Sequence, residues 1–319
     1  MAKRRKLKKK FKVSFIIVLL LVIGAIFGIN KYKEYKYHQT NEYKLTLKGY
    51  SLDESKLIIK KLNNDNQKYF VDNDKNNNLI DILNEKYFLE KNLFDYLEYK
   101  SKNKKKSNND VVAIVNVHAD KDWYDNKTVK ETDLSKDNLI LVNKFNYLKN
   151  DYVPNDIVDL DINYSYQNNR VTKECNDAYV EMAKAAKKDN IILLGNSSYR
   201  TYERQEEIYK EFYYSKGISY ADKYAARAGY SEHQTGLAID IFTSGRSTTS
   251  DFEDSDAFKW LSENAYKYGF ILRYPKDKEY LTGYNYESWH YRYLGVDTAT
   301  KVYKSGLTYD EYYAYYLEK

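Results

Sequence analysis

Only four histidines occur in the 319 residues, and two of them stand beside carboxylates in distinctive stretches: Ser231-Glu232-His233-Gln234-Thr235-Gly236-Leu237-Ala238-Ile239-Asp240 and Glu287-Ser288-Trp289-His290-Tyr291-Arg292-Tyr293. Two imidazoles and a carboxylate suffice for a hydrolytic zinc, which takes three protein ligands and keeps a fourth position open for water next to a carboxylate base. His233, Asp240 and His290 can supply the ligands and Glu287 the base. Lone histidines are more often structural, and His38 and His118 read that way: His118 closes an apolar run without a second ligand pattern, and His38 lies close to a long apolar segment.

These residues must be positioned by local structure. Leu237 to Phe242 reads as a strand whose alternation puts Leu237, Ile239 and Ile241 on one face and Ala238, Asp240 and Phe242 on the other, so Asp240 need not enter the apolar layer. Gly236 tolerates backbone angles closed to other residues and lets the chain swing from His233 into that strand. Glu287 and His290 are three apart, which brings side chains together on a turn or helical segment, so a turn near Trp289 is expected. Trp289 reads as a packing anchor and Arg292 as a pin that holds the turn through a carboxylate or a carbonyl. Further strands are expected over Val111–Val117, Leu139–Val142 and Ile191–Leu194. Helices are expected over the stripe Cys175, Ala178, Tyr179, Met182, Ala183 and Ala186, over Tyr202–Phe212, and over Ala257–Tyr266 with a stop at Gly269. Strands and helices mix irregularly, which is the pattern of an α+β domain.

The two histidine stretches resemble the signature motifs of the VanY-like zinc D-alanyl-D-alanine carboxypeptidases. Ser197-Ser198-Tyr199-Arg200-Thr201 with Gln205 resembles that family's third motif, Ser-Gly-Tyr-Arg-Ser followed by Gln. The likeness runs from about residue 111 to 295 and takes in Leu141-Val142-Asn143-Lys144 and Tyr152-Val153-Pro154. It implies a domain with the fold shared by the hedgehog and VanX-like proteins, and one zinc per chain on His233, Asp240 and His290. It also implies Glu287 as the base, Arg200 polarising the scissile carbonyl or holding the substrate's end, and Gln205 and Ser231 as hydrogen-bonding neighbours that bind substrate. The implied substrate is a peptidoglycan stem peptide, which loses its terminal D-alanine. An L,D-carboxypeptidase acting on tetrapeptide stems would use the same metal site, and an endopeptidase would differ by an open groove. An inactive wall-binding module is disfavoured because all three ligands and the base are in place. Ser198, Ala228 and Ser288 depart from the family's usual Gly, Pro and Pro, which bears on loop rigidity and substrate preference.

The remainder of the chain bounds where such chemistry takes place. Residues 13–29 are apolar except Ser14, and at 1.5 Å per residue they reach about 26 Å, enough to cross a bilayer. The basic tail 1–12 before them places the N-terminus in the cytoplasm and everything after residue 30 outside. A juxtamembrane and small helical segment with a linker is expected over 30–110, with a capping box at Ser51–Glu54 and a second helix over Leu79–Tyr99, and the zinc carboxypeptidase domain over 111–319. The net charge of +6 belongs to the tail: it carries eight of the 52 basic residues, and the other 44 face 46 acidic ones. Nothing beyond the tail has the balance of a nucleic-acid binder. Cys175, the single cysteine, falls on an apolar stripe and reads as a packed small hydrophobe. The sequence fixes no oligomeric state.

Overall fold

In the computed structural model, residues 2–245 and 249–318 are described. Met1 of the tail expected over 1–12, and 246–248 and Lys319 of the domain expected over 111–319, lie outside the described residues. The chain divides into two compact units, Met1–Lys104 and Lys105–Lys319.

The first unit is helical. α1 (Ala2–His38) contains the apolar run, whose side chains are exposed all round. α2 (Asn41–Leu47), α3 (Leu52–Lys61), α4 (Asn64–Asp72), α5 (Leu79–Asn84) and α6 (Leu93–Lys102) follow. The expected capping box opens α3: Ser51 Oγ accepts from Glu54 N, and Glu54 accepts from Ser51 N. The single helix expected over Leu79–Tyr99 is broken instead. α5 stops at Glu85 in extended backbone, and a 3-10 turn at Glu90–Asn92 leads into α6, with Tyr96 Oη accepting from Leu89 N across the break.

In the second unit the expectation of a strand at Val111–Val117 fails, because α7 (Asn108–Asn116) occupies it, capped by Ser107 Oγ on Asp110 N. Val111 to Asn116 are all buried, and an apolar run buried on every side has no periodicity to separate strand from helix. Leu139–Val142 is no strand either. Its carbonyls are claimed by side chains, Leu139 by Tyr309, Ile140 by Arg292 and Leu141 by Thr132, which leaves no ladder to form.

Two small pairings precede the main sheet: β1 (Lys130–Glu131) beside β2 (Asn146–Tyr147), and β3 (Ile157–Asp159) antiparallel to β4 (Arg170–Thr172). The main sheet is antiparallel, in the order β5 (Leu194–Ser197), β6 (Ala238–Phe242), β8 (Glu287–Tyr293), β7 (Phe270–Tyr274). β5 starts where the strand expected at Ile191–Leu194 ends. It runs through Gly195-Asn196-Ser197, residues of low strand propensity, because Gly195 admits close packing: a Cβ there would lie 2.6 Å from Leu160 Cδ2.

One face of the sheet meets α8 (Lys173–Lys188), the helix expected from the Cys175 stripe, whose Cys175, Tyr179, Met182, Ala183 and Ala186 form one core with Ile239, Ile241, Phe270, Tyr291 and Tyr293. Burial pushes the Cys175 thiol up, as the packed reading requires. α9 (Tyr202–Lys216) and α10 (Ile218–Tyr224) form a hairpin, and the short α11 (Thr249–Phe252) follows. α12 (Asp256–Asn264) gives way to a 3-10 turn that stops at Gly269 with φ +88, as expected. α13 (Glu279–Thr282) precedes β8, and α14 (Val296–Ser305) and α15 (Tyr309–Tyr312) close the unit in a second core with Ile271 and Leu141.

Candidate functional site

Strand register assembles the site. Ser197, Asp240 and His290 are direct partners across β5, β6 and β8, and Tyr274 of β7 stands opposite Glu287. Directly opposed residues share a face, so Asp240 and His290 meet on the face turned away from the α8 core. His233 arrives from the 3-10 turn Glu232–Thr235 through Gly236, whose φ of +67 makes the swing into β6, and a Cβ at Gly236 would lie 2.6 Å from Ile157 Cδ1.

The expected turn near Trp289 is absent. Glu287 and His290 lie on the same strand, and what brings them together is a register shift: the pairing moves two positions along β7, from Leu272 to Tyr274, while it moves four along β8, from Tyr291 to Glu287. The irregularity re-aims the side chains as a bulge does. It sets Glu287 Oε2 3.6 Å from His290 Nδ1.

The ligand atoms of His233, Asp240 and His290 lie within 4.8 Å of one another, and all three residues are buried. The proton positions follow from the partners. His233 Nδ1 is 2.7 Å from the Ser198 carbonyl and must donate to it, which leaves the lone pair on Nε2, 3.4 Å from Asp240 Oδ1. His290 Nε2 faces Glu232 Oε2 at 3.4 Å, which leaves Nδ1 for the same Asp240 oxygen at 3.2 Å. Asp240 Oδ1 is buried and accepts no hydrogen bond from the described residues. An orphaned carboxylate oxygen flanked by two imidazole lone pairs suits a cation among them and little else, so the donor set fits a zinc-type metal.

The electrostatics agree. Burial lowers His233 to about 4, helped by the Arg200 charge, so its ring is a neutral ligand. Burial alone would also lower His290, but the carboxylates of Asp240 and Glu232 outweigh it and raise the ring to about 9, a field that asks for positive charge at that spot. Glu287 is pushed up to about 7 by burial, with Asp240 and Glu232 adding to the rise against His290 and Arg200.

Arg200, just past β5, reaches Asp240 Oδ2 at 3.1 Å, donates from Nε and Nη2 to Ser197 Oγ, and donates from Nη1 to Gln205 Oε1 at 3.2 Å. Four of its five N–H groups are thereby engaged. One N–H on Nη1 is left for a substrate oxygen, and the open fork that a bidentate carboxylate clamp needs is not free. Gln205 also donates to the Ala226 carbonyl at 2.8 Å, and Ser231 Oγ accepts from His233 N at 3.3 Å, so both brace the site.

The seven residues that sequence reasoning brought forward for the site (Arg200, Gln205, Ser231, His233, Asp240, Glu287 and His290) line one cavity of about 220 Å³, together with Glu232. Trp289 lines it too and stacks on Phe242, which makes it both anchor and wall. α9 and α10 with the loop after them contribute Ile208, Phe212, Tyr224, Ala225 and Ala226. Sequence reasoning gave no role to Glu232, although it adjoins His233. It is fully buried, accepts from Arg273 Nε at 2.8 Å and Arg292 Nη1 at 2.7 Å on one oxygen, and meets His290 with the other. The two arginines hold its carboxyl below the usual range in spite of burial. Arg292 also donates to the carbonyls of Asn138 and Ile140, so it pins through a carboxylate and carbonyls as expected, but it ties 138–140 to β8 and holds no turn.

Residues 168–296 match the family model VanY, D-alanyl-D-alanine carboxypeptidase. The chain is 43% identical over 185 residues to "Putative carboxypeptidase YodJ" of Bacillus subtilis (strain 168), covering 55% of this chain and 66% of that protein. It is 37% identical over 183 residues to a D-alanyl-D-alanine carboxypeptidase of Enterococcus faecalis (strain ATCC 700802 / V583), covering 54% and 65%. The chain thus spans slightly under two thirds of these curated relatives. Among solved structures, the LD-carboxypeptidase LdcB, described in terms of peptidoglycan recognition, superposes with a TM-score of 0.56 at 38% identity, covering 61% of this chain and 94% of that one.

Proposed function

This chain belongs to the VanY family of D-alanyl-D-alanine carboxypeptidases, and from that premise we propose that it is a zinc-dependent carboxypeptidase that removes the terminal D-alanine from peptidoglycan stem peptides. The observation that carries the reading is the convergence of His233 Nε2 and His290 Nδ1 on the unpartnered Asp240 Oδ1, with the Glu287 carboxylate beside them. One zinc per chain, when bound by these three residues, supplies a Lewis acid that polarises the scissile carbonyl and makes water acidic. Glu287 takes the proton of the attacking water as its oxygen bonds to the carbonyl carbon, then passes it to the amine as the C–N bond breaks. The products are a stem peptide shorter by one residue and free D-alanine. Arg200 offers its remaining N–H to the oxygen that gains charge, where a preorganised donor acts most strongly. Gln205 and Ser231, expected to bind substrate, lie on the cavity wall and hold Arg200 and the His233 turn in place.

Incubation of the purified protein with defined tri-, tetra- and pentapeptide stems, followed by mass spectrometry, tests the reading. The pentapeptide is expected to lose one alanine, a chelator to stop the reaction, and added zinc to restore it. A C-terminally amidated pentapeptide is expected to survive, because among the described residues Arg200 is the one arginine or lysine lining the cavity, and its field draws a free carboxylate without needing a bidentate clamp. Cleavage of amidated and free-acid peptides at equal rates would replace this reading by an endopeptidase. The likeness to LdcB supports a second reading, removal of the fourth residue from a tetrapeptide, and the same assay separates the two by which stem is shortened.

The site acts, in this proposal, outside the cytoplasmic membrane. α1 is apolar on all sides from 13 to 29 and exposed throughout, a pattern suited to a bilayer, and the basic residues before it favour a cytoplasmic N-terminus. The protein is expected to stay in membranes through a high-salt wash, and external protease should remove the catalytic unit from wall-stripped cells. Protection from that protease would reverse the orientation.

A further inference from the structure

The α9–α10 hairpin exposes more aromatic surface than its own packing needs. The hairpin is held by Tyr209 Oη on Asp222 at 2.8 Å, by Arg227 on the same carboxylate, by the Lys144 ammonium on the Asp222 carbonyl, and by buried Ala221. Apart from these contacts, Phe212, Tyr220 and Tyr224 form a row of near-parallel rings. Phe212 and Tyr220 are 6.0 Å apart at 22°, and Tyr220 and Tyr224 are 4.3 Å apart at 24°. Phe212 and Tyr224 line the catalytic cavity, and Tyr220 joins them from outside its lining. Tyr220 and Tyr224 remain 37% and 47% exposed, with Ile218 at 50% beside them. An exposed aromatic patch of this kind marks a contact surface.

The location selects the occupant. A bilayer pressed on these rings would cover the mouth that Phe212 and Tyr224 help to form. Tyr202 to Tyr224 also carry four basic residues (Arg204, Lys210, Lys216, Lys223) against five acidic ones (Glu203, Glu206, Glu207, Glu211, Asp222), which is no attraction for anionic lipid. A polymer that carries the substrate peptide has the opposite relation to the mouth: its side chain enters and its backbone must lie on the rim. A pyranose ring presents one face of C–H groups, which packs on an aromatic face, while its hydroxyl and acetamido groups stay in water within reach of tyrosine hydroxyls. We propose that the Phe212–Tyr220–Tyr224 row is a glycan-binding rim that seats the N-acetylhexosamine chain to which the stem peptide is attached, a proposal that rests on the carboxypeptidase reading of the adjoining cavity.

Two measurements on the full-length protein in detergent test it. The first compares kcat/KM for a free stem peptide with that for the same stem on its disaccharide, and the second titrates a β-linked N-acetylglucosamine oligomer that carries no peptide. Wild type is expected to favour the sugar-linked stem by about two- to tenfold, the size of a single stacking contact, and chiefly through KM. Tyr220→Ser should abolish that preference and the oligomer binding while leaving the free-stem rate unchanged, Tyr220→Trp should keep both, and Tyr214→Ser, a 78% exposed residue outside the row, should change neither. Equal rates on the two substrates in wild type, or a Tyr220→Ser loss that is the same on both, overturns the proposal. Loss of binding to anionic vesicles instead of the oligomer would assign the row to the bilayer. If neither stem is cleaved the carboxypeptidase reading fails, whereas the oligomer titration still decides the rim.

Discussion

Glu287→Gln is expected to fold, to hold its metal, and to lose about 10²- to 10⁴-fold in turnover, the usual contribution of a positioned general base. The substitution keeps shape and removes the ability to take a proton. It leaves His233, Asp240 and His290 untouched, so metal content should match wild type, while kcat and kcat/KM fall together because the lost interaction belongs to the transition state. Among the described residues the cavity offers no substitute: of its three carboxylates, Asp240 stands between the two imidazoles and Glu232 is committed to Arg273 and Arg292. Single-turnover kinetics on the pentapeptide with parallel metal analysis reads both quantities. A loss below tenfold would show that Glu287 is not the base, and a loss of metal would make it a ligand.

What the sequence disclosed and what it hid divide along a physical line. The candidate ligands and base were legible because His233 and His290, two of only four histidines, each stand near a carboxylate, Asp240 and Glu287, and β6 was legible because Ile239 and Ile241 alternate around Asp240. The turn expected near Trp289 was wrong for an instructive reason. A spacing of three converges on a helix or turn, yet a strand achieves the same when its partner skips, and the skip at Leu272–Tyr274 is a property of the pairing and not of either segment. Val111–Val117 misled because β-branched residues that are buried on all sides carry no period, so Ser107 as a cap was the better signal. Arg200 was correctly brought to the cavity, and its engagement by the nearby Ser197 and Gln205 is local, but its ion pair with Asp240, 40 residues away, depends on the pairing of β5 with β6 and could not be read from the chain. Glu232 was hidden most completely: its partners Arg273, His290 and Arg292 are 41, 58 and 60 residues away.

That buried carboxylate carries the largest expected effect on stability. Arg273 and Arg292 are fully buried, and Glu232 Oε1 accepts from both, while Asp310 from α15 neutralises the far side of Arg273 with support from Asn143 at 2.8 Å. Removing one partner of a buried ion pair leaves an uncompensated charge, so Glu232→Ala should cost about 3 to 5 kcal/mol. At roughly 2 to 4 °C per kcal/mol for a unit of this size, the melting temperature should fall by about 6 to 20 °C. Glu232→Gln separates the structural part from the functional one. Its amide oxygen can still accept from the arginines, but its amide nitrogen then points N–H groups at His290 Nε2, which must give up its own proton to accept one. The imidazole proton moves to Nδ1, the atom that faces Asp240 and would hold the metal. Zinc affinity, measured by competition with a chelator, should therefore drop by about 10- to 100-fold in Glu232→Gln, the range found when a ligand histidine loses its orienting partner. Wild-type affinity in that variant would mean that His290 binds through its other nitrogen or that Glu232 serves packing alone, and a melting temperature in Glu232→Ala within about 3 °C of wild type would remove the buried-charge argument itself.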